Sequence, residues 1–400
     1  MFKEVNKYID SLIILILIYA SGMVVFQTYY KISLLTISTF FFLLLLFKHN
    51  YFRINKINLI YLILFCSLTL ITLLINLDYN HIDTHIGNIL KFIIAFLACT
   101  YIKFKRFIQI YPKTVFLLII LSFPFYIIGI IYPDFINKLP LLYKGEEIIY
   151  ANAIFHVFPL PVWLPTLLRN NGVFWEPGAY QAFINLALIL ELLNDQKSKI
   201  RIVIFILGVL STGSTTGYFI LLLIGLMVLL SNKKKYLLKF SILLLIVLFI
   251  FSPLFNNYVL EKINSDGERY SSFARRNEDW KADLNIAKES MFIGIGYNHY
   301  FEVFPNFIDS KHKGIVTSSS NSLSSTIAIY GIFLFMILFF LNYKLSMIIA
   351  SYLNGFYSVN SLIIFIVLII IYSSEPLLLT PLWLSLAFYG LKREKYMQST

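Results

Sequence analysis

Charged residues are scarce in this chain of 400 residues. Asp, Glu, Lys and Arg together make up 14% of it, about half their share in a typical soluble domain. Cysteine is nearly absent, since Cys66 and Cys99 are the only two. Both fall within apolar stretches, which argues against a disulfide framework and rules out a metal site built from cysteines.

Long apolar stretches take the place of the missing charge. Apolar residues make up 58% of the chain, and several runs approach or exceed the roughly 17–25 residues that a helix needs to cross a bilayer. The pattern predicts an all-α polytopic membrane protein with about twelve transmembrane helices in a single integral membrane domain, residues 1–400. The predicted spans are residues 11–29, 32–47, 57–76, 87–102, 114–132, 177–193, 200–212, 213–231, 236–252, 321–342, 358–374 and 377–390.

The net charge of +12 is distributed unevenly along the chain. If the N-terminus lies inside, the short inner loops carry most of the lysines and few of the acidic residues. This asymmetry is the usual signal of membrane orientation, so we expect membrane lipid and no nucleic acid as a partner. Both termini are predicted to be cytoplasmic, in a multi-pass membrane protein.

Two predicted outer loops are long, residues 133–176 and 253–320, which suggests that the protein works on the outer side of the membrane. Within the second loop, residues 275–290 predict an amphipathic helix with Trp280, Leu284 and Ala287 on one face. The sequence STGSTTG (211–217) interrupts an apolar run and predicts two half-length helices. Such a break either lines a cavity or is a turn whose hydroxyls bond the backbone.

Four sequence stretches occur in a fixed order: RNNGVFWEPGAYQAF (169–183), LSTGSTTGYF (210–219), SFARRNEDWKADLNIAKESMFIGIGYNHYF (272–301) and NSLSSTIAIYGIF (321–333). Together they resemble the O-antigen polymerase family, which shares this layout with the O-antigen ligases. The resemblance implies an enzyme that joins oligosaccharide repeat units carried on undecaprenyl diphosphate, at the periplasmic face of the inner membrane. It also implies a chain-length regulator protein as a partner.

Such a transfer must stabilise negative charge on the departing diphosphate, with a metal ion or with guanidinium groups. Neither long outer loop contains an Asp-x-Asp pair, so we expect no metal and no cofactor. We predict Arg169, with Arg275, Arg276 or both, as the diphosphate clamp, and Arg269 as a weaker candidate, because the planar guanidinium suits bidentate phosphate contacts. The alternative is that these arginines are solvated loop charges or headgroup anchors.

The hydroxyl that attacks the sugar must lose its proton, and the sequence leaves the base open. The resemblance implies a histidine just before the Asn-Ser pair in ligases, whereas this chain has Ser320 before Asn321, which argues against ligase activity. Glu176 and His299 remain the candidate bases, and either one is equally consistent with a structural role. Asn321 is predicted to cap a helix, with a substrate contact as the second possibility.

Other features admit a simpler explanation beside a functional one. Trp175 is predicted to pack on a sugar face, or to be an interfacial aromatic residue. The stretch DYNHIDTH (78–85) has metal-ligating residue types, but a polar loop explains it more simply. Glu375-Pro376 could contact substrate, but a helix-breaking turn explains this pair more simply.

Two other classes of protein compete with a polymerase. A flippase or another transporter for the same lipid-linked sugars usually needs ionisable groups in mid-span, and the centres of the predicted spans contain none. A ligase or another lipid-linked glycan transferase is the nearer alternative.

Overall fold

The computed structural model describes residues 2–25, 35–41, 43, 55–144, 147–160, 168–194, 196–231, 270–308, 318–353 and 357–391. These residues are mostly helical, and residues 35–41 are a further helical segment. The predicted span 236–252 and Arg269 lie outside the described residues. The helices are α1 Phe2–Gly22, α2 Lys56–Ile75, α3 Ile82–Tyr101, α4 Phe104–Ile131, α5 Pro177–Leu193, α6 Lys199–Ser211, α7 Thr215–Ser231, α8 Tyr270–Ala287, α9 Gly296–Val303, α10 Ser322–Ser351, α11 Tyr357–Ser374 and α12 Pro381–Tyr389.

Five helical segments of the described chain are long and apolar enough to cross a membrane. Three shorter apolar helices accompany them, at Tyr8–Gly22, Pro177–Leu193 and Thr215–Leu230. These features are those of a helical, multi-pass membrane protein, while the number of twelve spans stays a prediction. The five segments are Lys56–Ile75, Tyr79–Tyr101, Phe104–Ile131, Ser322–Ser351 and Tyr357–Ser374.

The all-α prediction is wrong in one place, because the first long predicted loop contains a small antiparallel sheet. Its strands are β1 Leu141–Lys144, β2 Glu147–Asn152 and β3 Val157–Pro159, in the order β1-β2-β3. Apolar side chains explain it, since Phe158 is fully buried beside Ile136 and Ala151. β-Rich residue types form strands where such a half-buried surface is available.

The chain divides into two compact units, which are described separately below. Unit 1 comprises Met1–Phe52, Leu97–Leu221 and Thr380–Leu382, and unit 2 comprises Arg53–Phe96, Leu222–Leu379 and Trp383–Thr400. The single integral membrane domain of residues 1–400 stays a prediction.

In unit 2, helix α10 is broken at Gly331, where φ is 82°. The break leaves backbone groups of α10 available for hydrogen bonds with the stretch before α9. The amide of Ile295 donates to the Ala328 carbonyl at 2.9 Å, and the amide of Ile332 donates to the Met291 carbonyl at 2.8 Å. A Cβ on Gly331 would lie 2.1 Å from the Phe292 carbonyl oxygen, so this residue must be glycine.

The DYNHIDTH stretch is not the polar loop that was predicted. It forms a 3₁₀ turn, Tyr79–His81, and the first turn of α3. Asp78 and His85 are buried, with 2.7 Å between the Asp78 Oδ2 and His85 Nε2 atoms. Asp78 also accepts hydrogen bonds from the amides of Tyr297 and Asn298 at the start of α9. The carboxylate therefore caps a helix, where the positive end of the helix dipole favours an anion.

Candidate active site

In unit 1, residues 169–172, the amide turn, pack against residues 211–217, the helix break. The Asn170 amide group donates to the Ser211 hydroxyl at 3.0 Å, and the Asn170 backbone amide donates to the Ser211 carbonyl at 3.1 Å. Gly172 has a φ of 54°, and a Cβ there would lie 2.8 Å from the Tyr180 ring. Two of the stretches that carry the family resemblance therefore form one piece of structure.

Arg169 is attached to the helix break. Its Nε atom donates to the carbonyl of Thr212 at 2.9 Å, and the side chain is partly exposed. This contact uses one of the five donors of a guanidinium group. The structure thus places Arg169 in a defined position, whereas its predicted contact with a diphosphate remains a prediction.

The helix break is a turn closed by its own hydroxyl groups. The Thr212 hydroxyl donates to the Val209 carbonyl at 2.7 Å, and the Ser214 hydroxyl accepts from the Gly217 amide at 3.4 Å. Gly213 has a φ of 58°, which lets the chain reverse. The second alternative from the sequence, a turn whose hydroxyls bond the backbone, accounts for these contacts.

Buried amide side chains surround the amide turn. Both polar atoms of the Asn171 side chain, the Nε2 atom of Gln181 and the Oδ1 atom of Asn185 are buried without a hydrogen-bond partner among the described residues. The Asn185 amide donates to the Gln181 Oε1 atom at 2.8 Å. Neutral amides of this kind can donate to and accept from hydroxyl groups, the groups that a sugar presents.

Trp175 and Glu176 lie side by side where α5 begins. The indole N–H of Trp175 donates to the Glu176 Oε1 atom at 2.9 Å, and the Tyr150 hydroxyl donates to the Trp175 carbonyl at 2.9 Å. Burial raises the pKa of Tyr150 to about 12, and the Glu176 carboxylate contributes to the rise. The strands before α5 thus hold this corner in place, and the roles of Trp175 in sugar binding and of Glu176 as a base stay predictions.

In unit 2, the predicted amphipathic helix is confirmed as α8, and the side chains that it buries include two that the apolar pattern did not single out. Trp280 is 39% exposed, whereas Asp279 and Asp283 are fully buried. The two carboxyl groups can face inward because hydroxyl groups from other elements bind them, as described next. An acidic residue is rarely buried without such partners.

Asp279 is held by the segment just before α10. Its Oδ2 atom accepts from the Ser320 hydroxyl at 2.7 Å and from the Ser320 backbone amide at 2.9 Å. Its Oδ1 atom is buried and has no hydrogen-bond partner among the described residues. Ser320 is partly exposed, so it links the buried carboxyl group to the surroundings of unit 2.

Asp283 lies one helical turn further along α8. Its carboxyl oxygens accept from the Ser324 hydroxyl at 2.6 Å and from the Tyr300 hydroxyl at 2.7 Å. Burial raises the pKa of Asp283 to about 7, although the hydrogen bonds from Ser324, Tyr300 and Ser319 oppose the rise. At neutral pH the group is therefore close to half protonated.

Asn321 caps α10, as predicted. Its Oδ1 atom accepts from the amides of Leu323 at 3.0 Å and Ser324 at 3.2 Å. Next to it, the Ser322 hydroxyl lies within hydrogen-bond distance of the carbonyls of Tyr372 and Glu375. The N-terminus of α10 is thus fixed to the end of α11, and a substrate contact of Asn321 stays a prediction.

Arg276 and Glu375 form the remaining part of this site. The Glu375 side chain is fully buried, and its Oε1 atom lies 3.7 Å from an Nη atom of Arg276, which is 31% exposed. The separation is that of an ion pair rather than a hydrogen bond. Here the Glu375-Pro376 turn does more than end a helix, because its carboxylate lies next to a predicted phosphate-binding arginine. We call Arg276, Asp279, Asp283, Tyr300, Ser319–Ser324 and Glu375 the acidic cluster.

Three predicted residues of unit 2 remain: His299, Arg275 and Arg269. His299 is half exposed, with its Nε2 atom 3.2 Å from Glu289 and its Nδ1 atom 3.9 Å from Glu302. Arg275 lies in α8, and its side chain is outside the described part, as is the whole of Arg269. The roles of all three stay predictions.

Sequence reasoning missed Asp279, Asp283 and Tyr300. One signal was available: Asp279 and Asp283 are four residues apart, which places them on one face of a helix. The apolar pattern instead drew attention to the neighbouring face, with Trp280, Leu284 and Ala287.

Residues 200–340 match the family model described as O-antigen ligase. The match includes the helix break and most of the acidic cluster. No curated protein and no solved structure matches the chain. The family similarity supports the O-antigen ligase/polymerase superfamily and the transfer of lipid-linked glycan, and it does not separate the polymerases from the ligases.

Proposed function

We propose that the protein is a polymerase of undecaprenyl-diphosphate-linked oligosaccharide repeat units, which produces O-antigen or capsular polysaccharide at the periplasmic face of the inner membrane. The observation that carries the proposal is the acidic cluster within the region similar to O-antigen ligases. There an arginine beside a buried glutamate and two buried, hydroxyl-bound aspartates come together in one unit.

In the proposed reaction, a hydroxyl at the non-reducing end of a new lipid-linked unit attacks the anomeric carbon of the growing chain. The new bond joins this oxygen to the anomeric carbon, and the bond from that carbon to the phosphate oxygen breaks. Undecaprenyl diphosphate leaves with the electron pair, and the attacking hydroxyl gives up its proton. The product remains attached to the lipid of the acceptor, so the cycle can repeat.

Arg276, with Arg275, is proposed to neutralise the departing diphosphate. The Glu375 carboxylate, 3.7 Å from Arg276, would orient the guanidinium group. We propose further phosphate or sugar contacts for Arg169 and Arg269, and sugar contacts for Trp175 and Asn321. This chemistry uses arginine rather than a metal ion as the source of positive charge.

A ligase is the second candidate, because the matching family model is that of O-antigen ligase. Such an enzyme would move a finished chain to another acceptor by the same bond changes. Ser320 argues for the polymerase, since the resemblance implies a histidine at this position in ligases. A chain-length regulator is proposed as a partner only in the first case.

Deletion of the gene tests the proposal, with the surface polysaccharide analysed on a gel. A polymerase predicts loss of the long-chain ladder, with material capped by a single unit retained. Complete loss of capped material would instead indicate a ligase or a flippase and would overturn the proposal.

Arginine variants test the site in the complemented strain. Arg276→Ala should reduce the ladder by a factor of about 10²–10³, the usual cost of a lost charge-stabilising donor, at unchanged protein level. Lys281→Ala, which removes an exposed charge from the same helix, is the matched control and should leave the ladder intact. Arg169→Ala should behave like Arg276→Ala, and normal ladders from both would remove the arginines from the mechanism.

Membrane orientation is tested by labelling. A cysteine introduced at the exposed Lys288, in a Cys66→Ser, Cys99→Ser background, should react with a membrane-impermeant thiol reagent from the periplasmic side. Labelling only from the cytosolic side would place the acidic cluster on the wrong side for this reaction. Activity of purified protein should also survive a chelator, and recovery that depends on added magnesium or manganese would contradict an arginine-based mechanism.

A further inference from the structure

The sequence left the proton acceptor of the proposed transfer open and offered two residues, Glu176 and His299. The Glu176 carboxylate accepts a hydrogen bond from the Trp175 indole. His299 is half exposed and lies beside two acidic side chains, Glu289 and Glu302. The acidic cluster contains a third arrangement that neither the sequence pattern nor the family similarity assigns.

We propose that Ser320 and Asp279 form a proton relay, in which Ser320 takes the proton of the attacking sugar hydroxyl while passing its own to the Asp279 carboxylate. The inference rests on the proposed function. As the new carbon–oxygen bond forms, the sugar hydroxyl proton moves to the Ser320 Oγ atom, and the Ser320 proton moves to the Asp279 Oδ2 atom. The diphosphate leaves with the electron pair of the broken bond, so charge and atoms balance.

Asp279 has the geometry of a proton acceptor. Its Oδ2 atom already lies 2.7 Å from the Ser320 hydroxyl oxygen, along the path that the proton would take. Its Oδ1 atom is buried without a hydrogen-bond partner among the described residues.

Ser320 is needed because Asp279 cannot be reached directly. The aspartate is fully buried, whereas Ser320 is partly exposed. A serine hydroxyl has one donor and two acceptor positions. While it donates to Asp279, it can still accept a hydrogen bond from a sugar hydroxyl.

The relay lies next to the residue proposed to hold the leaving group. Arg276 and Asp279 are three residues apart on α8 and therefore share a face of the helix. Ser320 and Arg276 are both partly exposed, and the proposal requires one bound substrate to contact both.

Asp283 and Ser324 provide a matched control within the protein. This second pair has the same chemistry, with 2.6 Å between the Ser324 hydroxyl and the Asp283 carboxyl group. Both of its side chains are fully buried, and the other Asp283 oxygen is occupied by Tyr300. A sugar cannot reach Ser324, so this pair should contribute to the stability of the fold and not to proton transfer.

The experiment measures polymer formation by the purified full-length protein in lipid vesicles. The probe is the lipid-linked repeat unit extracted from cells that lack the gene. Asp279→Asn and Ser320→Ala should each lower kcat by about 10²–10⁴, the usual contribution of general-base catalysis, with little change in KM. Ser320→Thr keeps the hydroxyl and should retain activity within about threefold, and Lys281→Ala, which removes an exposed charge from α8, is the control that should leave kcat unchanged.

Melting temperature separates catalysis from structure. Asp279→Asn should lose kcat while its melting temperature stays close to that of Ser324→Ala. If the wild type polymerises and either Asp279→Asn or Ser320→Ala keeps kcat within threefold, the relay is refuted and the proposed function stands. If the wild type makes no polymer from the probe, the proposed function fails, and the relay fails with it.

Discussion

The amide turn of unit 1 and the acidic cluster of unit 2 both bury polar side chains, but they do so with different chemistry. Around the amide turn the buried groups are neutral amides and hydroxyls, and several bond the nearby backbone, as Thr212 does with Val209. In the acidic cluster the buried groups are ionisable, and side chains from other elements hold them, as Ser320 holds Asp279.

This difference indicates a structural role for the buried groups of the amide turn and a chemical role for those of the acidic cluster. A neutral hydroxyl that bonds its own turn costs little to bury and stabilises the local fold. A buried carboxyl group costs several times more, so its presence calls for a specific reason such as catalysis. The acidic cluster is accordingly the part of the molecule where the comparison predicts reactivity, and the amide turn the part where it predicts binding and support.

The largest effect on stability is expected for Asp283→Ala. The variant removes the acceptor of both the Ser324 and the Tyr300 hydroxyl and leaves two buried donors unsatisfied. At about 1–3 kcal/mol for each, the loss should be about 2–6 kcal/mol. Thermal unfolding in detergent micelles measures it, with the exposed Glu289→Ala as control. A change no larger than that of the control would contradict the importance assigned to these two hydrogen bonds.

The stability of the folded protein should depend on pH through the carboxyl group of Asp283. Its pKa is raised from 3.8 to about 7, so between these values the folded chain holds a proton that the unfolded chain has released. Stability should therefore decrease as pH rises from 4 to 7, by at most about 1.4 kcal/mol per pH unit. Melting temperatures of the wild type and of Asp283→Asn, measured across this range, should diverge, since the variant lacks this slope. Parallel curves would show that the carboxyl group does not titrate in this way.

His156 of unit 1 should make the stability of the protein depend on pH in the opposite direction. It is buried between the rings of Tyr126 and Phe158, and burial lowers its pKa from 6.5 to about 3. Between these values only the unfolded chain binds the proton, so stability should decrease as pH falls below 6.5. His156→Phe, studied over the same pH series, should reduce this acid sensitivity. Equal acid sensitivity in the variant would contradict a neutral buried imidazole.

Asn170→Ala should have a smaller effect, because one buried donor, the Gly172 amide, loses its partner, while the Ser211 hydroxyl still donates to the Gly208 carbonyl. The variant removes the bonds to the Ser211 hydroxyl and to the Gly172 amide, at a cost of about 1–3 kcal/mol. Melting temperature again provides the measure, and a loss equal to that of Asp283→Ala would erase the distinction between the two regions. Asn170→Asp, which keeps the acceptor for Gly172, separates the two bonds.

The smallest effect is expected for His299→Ala. Its pairing with Glu289 is half exposed on both sides, and exposed ion pairs contribute at most about 1 kcal/mol. Neither the melting temperature nor the polymer ladder should change appreciably. A ladder reduced a hundredfold at normal protein level would return His299 to the position of catalytic base.

Sequence patterns predicted individual elements well where one local signal dominates. The bounds of α5 and nearly those of α11 follow from apolar runs that begin at a proline or end before a polar turn. The helix cap at Asn321 follows from the preference of asparagine for that position. The small sheet was missed because its strands are short and lie in a stretch classified by its polarity as a loop.

The face of α8 shows why the candidate site was harder to predict. An i, i+4, i+7 pattern placed Trp280, Leu284 and Ala287 on one apolar face, whereas the structure exposes Trp280 and buries Asp279 and Asp283. Hydrophobic periodicity treats every carboxyl group as unfavourable to bury, because it takes no account of hydrogen-bond partners that are distant in sequence. Ser320, which binds Asp279, is such a partner, more than thirty residues away. For Asp78 and His85, likewise, the pattern predicted a polar loop. In the structure these residues are buried, because backbone amides of α9 donate to the Asp78 carboxylate.

The amino-acid sequence by itself determined that this is a helical membrane protein, because apolar run length and charge asymmetry are properties of local segments in a bilayer. It also predicted which arginines are candidates for phosphate contacts. Only the tertiary structure decided that Asp279 is connected to Ser320 and Arg276 to Glu375. Those pairings join residues far apart in the chain, and the free energy of a buried charge depends on what surrounds it rather than on its neighbours in sequence.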